Sequence, residues 1–452
     1  MKAPRTVAAA TNDGKSPTIP HEAAVGVSRP RRDGNKLARW LKSFGPGLIT
    51  GAADDDPSGI GTYSVAGAAF GFATLWTALV TLPLMTVVQF ICNKIAMVSG
   101  RGLAGVLRAY YPRWVLYPAV LSLLVANTIN VGTDIAAIAA GFNLFLPVPI
   151  TLMIVPIAVI IVALQVWAHY KTIVRIFKWL ALSLFAYIVA AILAKPDWAD
   201  ALRATFVPQV SLDHEYLTTV LAILGTTISP YLFFWQASQQ VEEEVSQGRT
   251  TVAQRRGTTE GELERAKIDT VSGMFFCNLT FYFVILACAA TLHASGNTEI
   301  KSAADAAQAL KPLAGEWASV LFAVGMIGAG FLAVPVLSGS SAYAIAETFG
   351  WKYGLDTKPW EAKQFYAVIA LSTLVGIGID FIGLNPIRAL FWTAVINGLL
   401  SPPLLVLIML ASNNKKVMGS RANGWLANLF GWAATVVMFA AAIAMLVTGA
   451  ST

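Results

Sequence analysis

Apolar runs, each close to the ~20 residues that cross a bilayer, alternate along this chain with short polar or basic stretches. They predict an all-α membrane protein of about eleven transmembrane helices, over roughly 45–69, 72–97, 114–141, 148–168, 173–194, 216–243, 267–293, 314–346, 362–384, 386–411 and 424–448. Two of these runs are interrupted near their centres. In the first, small and apolar residues lead into three consecutive carboxylates, Asp54, Asp55 and Asp56, followed by Pro57, Ser58 and Gly59. In the sixth, the break falls at Ser229 and Pro230. Proline removes a backbone donor and glycine weakens a helix, so carbonyl groups are freed beside the acids. Freed carbonyls and charges persist at membrane depth only where they meet protein, water or an ion. Carboxylate and carbonyl oxygen held together inside a membrane make a candidate cation site.

Composition supports the class. Of 452 residues, 56% are hydrophobic and only 13% are charged, against roughly 25% charged in soluble proteins. The net charge of +7 does not point to nucleic acid, because it follows the predicted topology. Of the 32 Lys and Arg, 27 lie on the side of the N-terminal tail, and only Lys195, Arg203, Lys301, Lys311 and Arg388 lie on the other. The positive-inside rule therefore places the N-terminus in the cytoplasm of a cell with this protein in its plasma (inner) membrane. The chain divides into a disordered basic tail (1–43), a first five-helix repeat (44–194), an external loop (195–215), a second repeat (216–411) and an extra C-terminal helix (412–452). Five spans separate the starts of the two broken helices. Five is odd, so the second repeat is inverted relative to the first, and paired interruptions in matching halves point to a transporter's central site.

Other chemistry is weaker. Cys92, Cys277 and Cys288 fall in apolar runs and read as small core residues. His21, His169, His214 and His293 sit in the tail or at helix ends, without partners at metal-ligand spacing. No nucleotide-binding glycine loop or nucleophile–base motif is evident, so no enzymatic activity and no cofactor are expected. An aspartyl dyad of Asp56 and Asp134 is the enzymatic alternative, and it requires the two carboxyls to share a proton.

The residues around the two breaks resemble the NRAMP family of divalent-metal transporters, within the LeuT-like fold of inverted five-helix repeats. Its first-helix signature, Gly-Pro-Gly followed by Asp-Pro-Gly-Asn, is matched by Gly45-Pro46-Gly47 and Asp56-Pro57-Ser58-Gly59. Its sixth-helix Met-Pro-His is replaced by Ser229-Pro230-Tyr231, after a matching Gly225 and Thr226. Gly132-Thr133-Asp134 matches the third helix, but Ala137 stands where a glutamate is usual. Asn397 to Pro403 resembles the tenth helix, a polar residue followed by a proline-containing half.

The resemblance implies a metal site of Asp56, Ser229, Thr226, the Ala53 carbonyl and Asp55. Asp54, Gly59, Tyr231, Asp134, Asn130, Gln236 and Asn397 would line the pathway or support the ligands. Gly59 and Ser229 stand where the family's asparagine and methionine ligands would be. Loss of the thioether favours hard cations, so the pattern is similar to the NRAMP-related magnesium transporters, and Mg²⁺, with Mn²⁺ also accepted, is the expected cargo. Tyr231, Gln236 and Ala137 replace the family's proton-coupling residues, so proton coupling should be weak or absent. The partners implied are a divalent ion and the lipid bilayer, with the chain acting as a monomer. The alternatives are a proton-coupled Mn²⁺/Fe²⁺ importer and a sodium-coupled organic-solute symporter on the same fold.

Overall fold

The computed structural model describes residues 46–167, 185–381 and 383–450. The expected tail over 1–43, His21, Gly45, His169 and most of the predicted fifth span lie outside the described residues. The described residues belong to one compact unit and are helical without strands.

Both predicted interruptions are real breaks, built alike. The first run divides into α1 (Pro46–Asp54) and α2 (Pro57–Phe70). Asp56, between them, is extended at φ −72° and ψ 168° and caps α2. Helices α3 (Trp76–Ser99), α4 (Leu103–Tyr110), α5 (Arg113–Asn143), α6 (Ile150–Trp167), α7 (Ala186–Leu193) and α8 (Trp198–Phe206) follow. The sixth predicted run divides into α9 (His214–Thr227) and α10 (Pro230–Ser246), with Ser229 extended at φ −82° and ψ 135°. At each break a short polar residue precedes a proline in the first helical position. Proline drives the residue before it out of helical geometry and is itself suited to start a helix. Proline alone does not suffice, since α3, α5 and α6 run through Pro83, Pro118 and Pro156.

The chain continues through α11 (Glu260–Cys288), α12 (Ala318–Phe349), α13 (Lys363–Asp380), α14 (Pro386–Asn413) and α15 (Trp425–Gly449). Among the described residues eight helices are long and apolar enough to cross a membrane. The other three of the eleven predicted spans are the pair α1/α2, the fifth, and the 18-residue α13. The predicted tenth span, α14, is unbroken despite Pro402 and Pro403. The expected loop over 195–215 contains α8, because Asp197 accepts from the amides of Ala199 and Asp200 and nucleates a turn.

Helices meet where side chains are absent. A Cβ on Gly51 would lie 2.3 Å from the Gly273 carbonyl oxygen, so α1 and α11 pack backbone to backbone, and the Gly47 amide donates to Asp269 at 2.6 Å. Small residues at such crossings are the usual means of close packing in membranes. The outer faces of α6 and α15 instead expose Leu152, Val159, Val436 and Ile443, surface suited to acyl chains.

Candidate functional site

The two breaks face one another in the interior. Asp56 is fully buried. Its Oδ1 accepts from the Ser58 hydroxyl and the Gly59 amide, both at 2.7 Å. These bonds arise locally, since an N-cap aspartate turns back onto the first amides of the helix it starts. From α10, the Tyr231 hydroxyl lies 3.2 Å from the Ala53 carbonyl and 3.3 Å from Asp56 Oδ2. One phenol therefore joins the carbonyl end of α1, the carboxylate at its break and the start of α10.

Thr226, in the last turn of α9, is 1% exposed and its hydroxyl has no hydrogen-bond partner. It faces Gly59: a Cβ there would lie 3.2 Å from Thr226 Oγ1, 3.2 Å from the Tyr63 ring and 3.4 Å from Asp56 Oδ1. The missing Gly59 side chain thus leaves Thr226, Asp56 and Tyr63 around one small gap. The Tyr63 hydroxyl is also buried without a partner. Ser229 directs its hydroxyl backwards, donating to the carbonyls of Gly225 at 2.8 Å and Thr226 at 2.7 Å.

Asp54 and Asp55 face elsewhere. Their oxygens accept from the Cys277 thiol of α11, at 2.8 Å and 3.4 Å respectively. The crossing at Gly51 and Gly273 explains this. One helical turn beyond it, Asp54 and Asp55 come level with Cys277, as residues three or four apart share a helix face. Cys277, which sequence reasoning reads as a plain core residue, is a partner of the acids, and only the glycine pattern on both helices signals it.

The remaining candidates lie on the surrounding helices. Gln236 accepts from Thr50 at 2.5 Å, tying α10 to α1. Asp134 and Asn130, one turn apart on α5, and Asn397 on α14 are buried, and none of their side-chain oxygen or nitrogen atoms has a hydrogen-bond partner. Asp56 is one of the charged neighbours of Asp134, and the Ser58 backbone faces it. Ser401, one turn after Asn397, donates to the Ile228 carbonyl at 2.7 Å and so brings α14 to the second break. Among the described residues no group of three or more His, Cys, Asp or Glu is arranged to hold a metal ion. The chemistry available at the breaks is one carboxylate with carbonyl and hydroxyl oxygens around a gap. His214 and His293 bond to Thr448 and to the Ala68 carbonyl at helix ends, away from the breaks.

The chain and its fold have known relatives. The chain is 27% identical over 433 residues to the divalent metal cation transporter MntH of Agrobacterium fabrum, covering 92% of this chain and 89% of the relative. With MntH of Brucella suis it shares 25% identity over 403 residues, covering 87% and 85%. In fold it is similar to the Eremococcus coleocola manganese transporter, with a TM-score of 0.71 at 17% identity over 92% of this chain and 88% of that one. The resemblance reaches more distantly to Mhp1, a nucleobase-cation-symport-1 family transporter, with a TM-score of 0.52 at 13% identity over 90% and 93%. The all-helical LeuT-like architecture, with its first and sixth spans broken, is thereby established. A family profile described as natural resistance-associated macrophage protein-like matches residues 47–448, and the chain belongs to this Nramp family.

Proposed function

We propose that this protein is a transporter of divalent metal cations that carries Mg²⁺ and Mn²⁺ by alternating access, with little or no proton coupling. The observation that carries the proposal is the buried Asp56 carboxylate at one helix break, facing the unpartnered Thr226 hydroxyl across the gap left by Gly59. All of these atoms are oxygens. Mg²⁺ prefers such donors and tends to keep several of its waters, and a gap without a side chain leaves room for them. The relatives named above are divalent-metal and manganese transporters, which supports the cargo class and the absence of enzymatic activity.

Asp56 acts as the principal ligand, the Ala53 carbonyl and Thr226 as supporting oxygens, and Tyr231 as the post that fixes the carboxylate. Ser229, with its hydroxyl committed to the carbonyls of the preceding turn, contributes through the extended backbone it gives the break. Asp54 and Asp55 add negative potential from beside Cys277 and so raise the local concentration of cations. The 44–194 and 216–411 halves form the two inverted repeats, and the monomer, N-terminus inward in the cell membrane, is the working unit.

The test is metal uptake by the purified chain in liposomes. The wild-type protein should admit Mg²⁺ and Mn²⁺, whereas Asp56→Ala should remain folded and transport neither. Full uptake by Asp56→Ala would remove the site from consideration. Uptake of an amino acid in place of metal would favour the symporter alternative.

A further inference from the structure

At the bundle end that the Lys and Arg distribution assigns to the cytoplasm, a cavity of about 280 Å³ opens between α3, the start of α11 and the turn Gly419–Arg421 that links α14 to α15. Three of the side chains lining it are cations, Lys94, Lys267 and Arg421. Two are carboxylates, Glu260 and Glu264, and Glu260 is paired with Arg421. Lys94 is half-buried. Its ammonium donates to the Ala422 carbonyl and to Asn423 Oδ1, both at a long 3.4 Å, which holds α3 beside the turn that ends in Arg421. Among the described residues no ion pair includes Lys94 or Lys267. Two distant neutral acceptors compensate poorly for a charge drawn out of water, so Lys94 is suited to an anionic partner.

The packing of α11 decides what the cavity continues into. Asp269 and Gly273 meet Gly47 and Gly51 of α1 on one side of the helix. Glu260, Leu263, Glu264 and Lys267 repeat at helical spacing on the opposite side. The same stripe runs on, one and two turns deeper, as Val271 and Phe275, which are 43% and 48% exposed. Trp425, at the start of α15 just after Arg421, is exposed too, as tryptophans at a membrane–water boundary are. Phe90, one turn before Lys94, and Leu263 give the cavity apolar lining beside its charges. Its 280 Å³ equals about nine waters at ~30 Å³ each. That is room for a phosphodiester with some of its waters, and acyl chains would lie outside it along the stripe.

We propose that this cavity seats an acidic phospholipid of the inner leaflet, its phosphodiester between Lys94 and Lys267 and an acyl chain along Val271 and Phe275. Basic pockets between helices on the cytoplasmic side bind acidic headgroups. A free phosphate would use the same cations but gain nothing from the apolar stripe, which favours the lipid. Glu264 opposes the phosphate and limits affinity, while Glu260 draws off the charge of Arg421. The bound lipid braces α11 against α3. Since α11 also carries the backbone contact with α1, the lipid steadies the support of the first break. The site lies apart from Asp56 and holds whichever ion is carried.

The test uses the full chain in a neutral detergent, with dioleoyl-phosphatidylglycerol as the probe and native mass spectrometry to count bound lipid. Half-saturation should rise about fivefold in Lys94→Gln and likewise in Lys267→Gln, the worth of one basic residue near an acidic membrane surface. Lys94→Arg should restore binding, and Glu264→Gln should tighten it. Arg113→Gln removes an exposed cation from the same membrane end, at the start of α5, and should change nothing. Lys267 is exposed, so its replacement keeps the test open if Lys94→Gln fails to fold. Dioleoyl-phosphatidylcholine should bind more weakly and ignore both lysines. Unchanged half-saturation in Lys267→Gln overturns the proposal, as does an equal rise in Arg113→Gln. Displacement of the lipid by an equal concentration of glycerol phosphate, which has no acyl chains, overturns the lipid assignment in favour of a soluble anion. The readout is binding rather than uptake, so failure here leaves the transporter reading to its own test.

Discussion

Asp56 divides its work between two oxygens. Oδ1 is occupied by the Ser58 hydroxyl and the Gly59 amide, which fix the carboxylate against the start of α2. Oδ2 accepts from the Tyr231 hydroxyl, which also meets the Ala53 carbonyl, while Oδ1 borders the gap at Gly59. Selectivity should then respond to what surrounds it. A thioether introduced by Ser229→Met should strengthen binding of Cd²⁺ relative to Mg²⁺, since sulfur favours soft ions. Calorimetry on the purified variant would show this, and an unaltered Cd²⁺/Mg²⁺ ratio would defeat the account of selectivity. Gly59→Ala tests the gap itself. Its methyl would sit 3.2 Å from both Thr226 Oγ1 and the Tyr63 ring, which narrows the space without touching the charge. Uptake of Mg²⁺, the ion more reluctant to shed water, should fall more than uptake of Mn²⁺ in the same liposomes.

At the scale of helices, the breaks depend on how α1 is held. Its contact with α11 is backbone on backbone, so added volume cannot be relieved by a rotamer change. Gly51→Ala should therefore cost about 1–3 kcal/mol, the usual range for overpacking, seen as a lower melting temperature in detergent together with lost uptake. Gly378→Ala is the control. No atom lies within 4 Å of a Cβ there, and alanine favours the helix more than glycine, so stability should be unchanged or slightly higher. This contrast also marks what could be read from the chain. The two breaks were legible because Asp56-Pro57 and Ser229-Pro230 each combine a capping residue with a proline, and hydropathy set most spans within a few residues. The pairing of Cys277 with Asp54 and Asp55 was not legible, since it depends on two helices more than 200 positions apart meeting at Gly51 and Gly273.

For the whole molecule the question is what drives the ion inward. The positions that the family resemblance links to proton transfer hold Tyr231, Gln236 and Ala137. Tyr231 and Gln236 are engaged in fixed bonds, Tyr231 with Ala53 and Asp56, and Gln236 with Thr50. None of these three residue types exchanges a proton near neutral pH. A divalent cation does not need a second gradient to enter. At roughly 2.3 kcal/mol per charge per 100 mV, its passage down an inside-negative potential of that size releases about 4.6 kcal/mol. Uptake by the reconstituted chain should accordingly accelerate when a potassium diffusion potential makes the liposome interior negative, and slow when the potential is reversed. A pH dye trapped inside should record no acidification in step with Mg²⁺ arrival. If acidification tracks uptake while the imposed potential has no effect, protons are the driving ion, and Asp134 becomes the residue to test as their carrier.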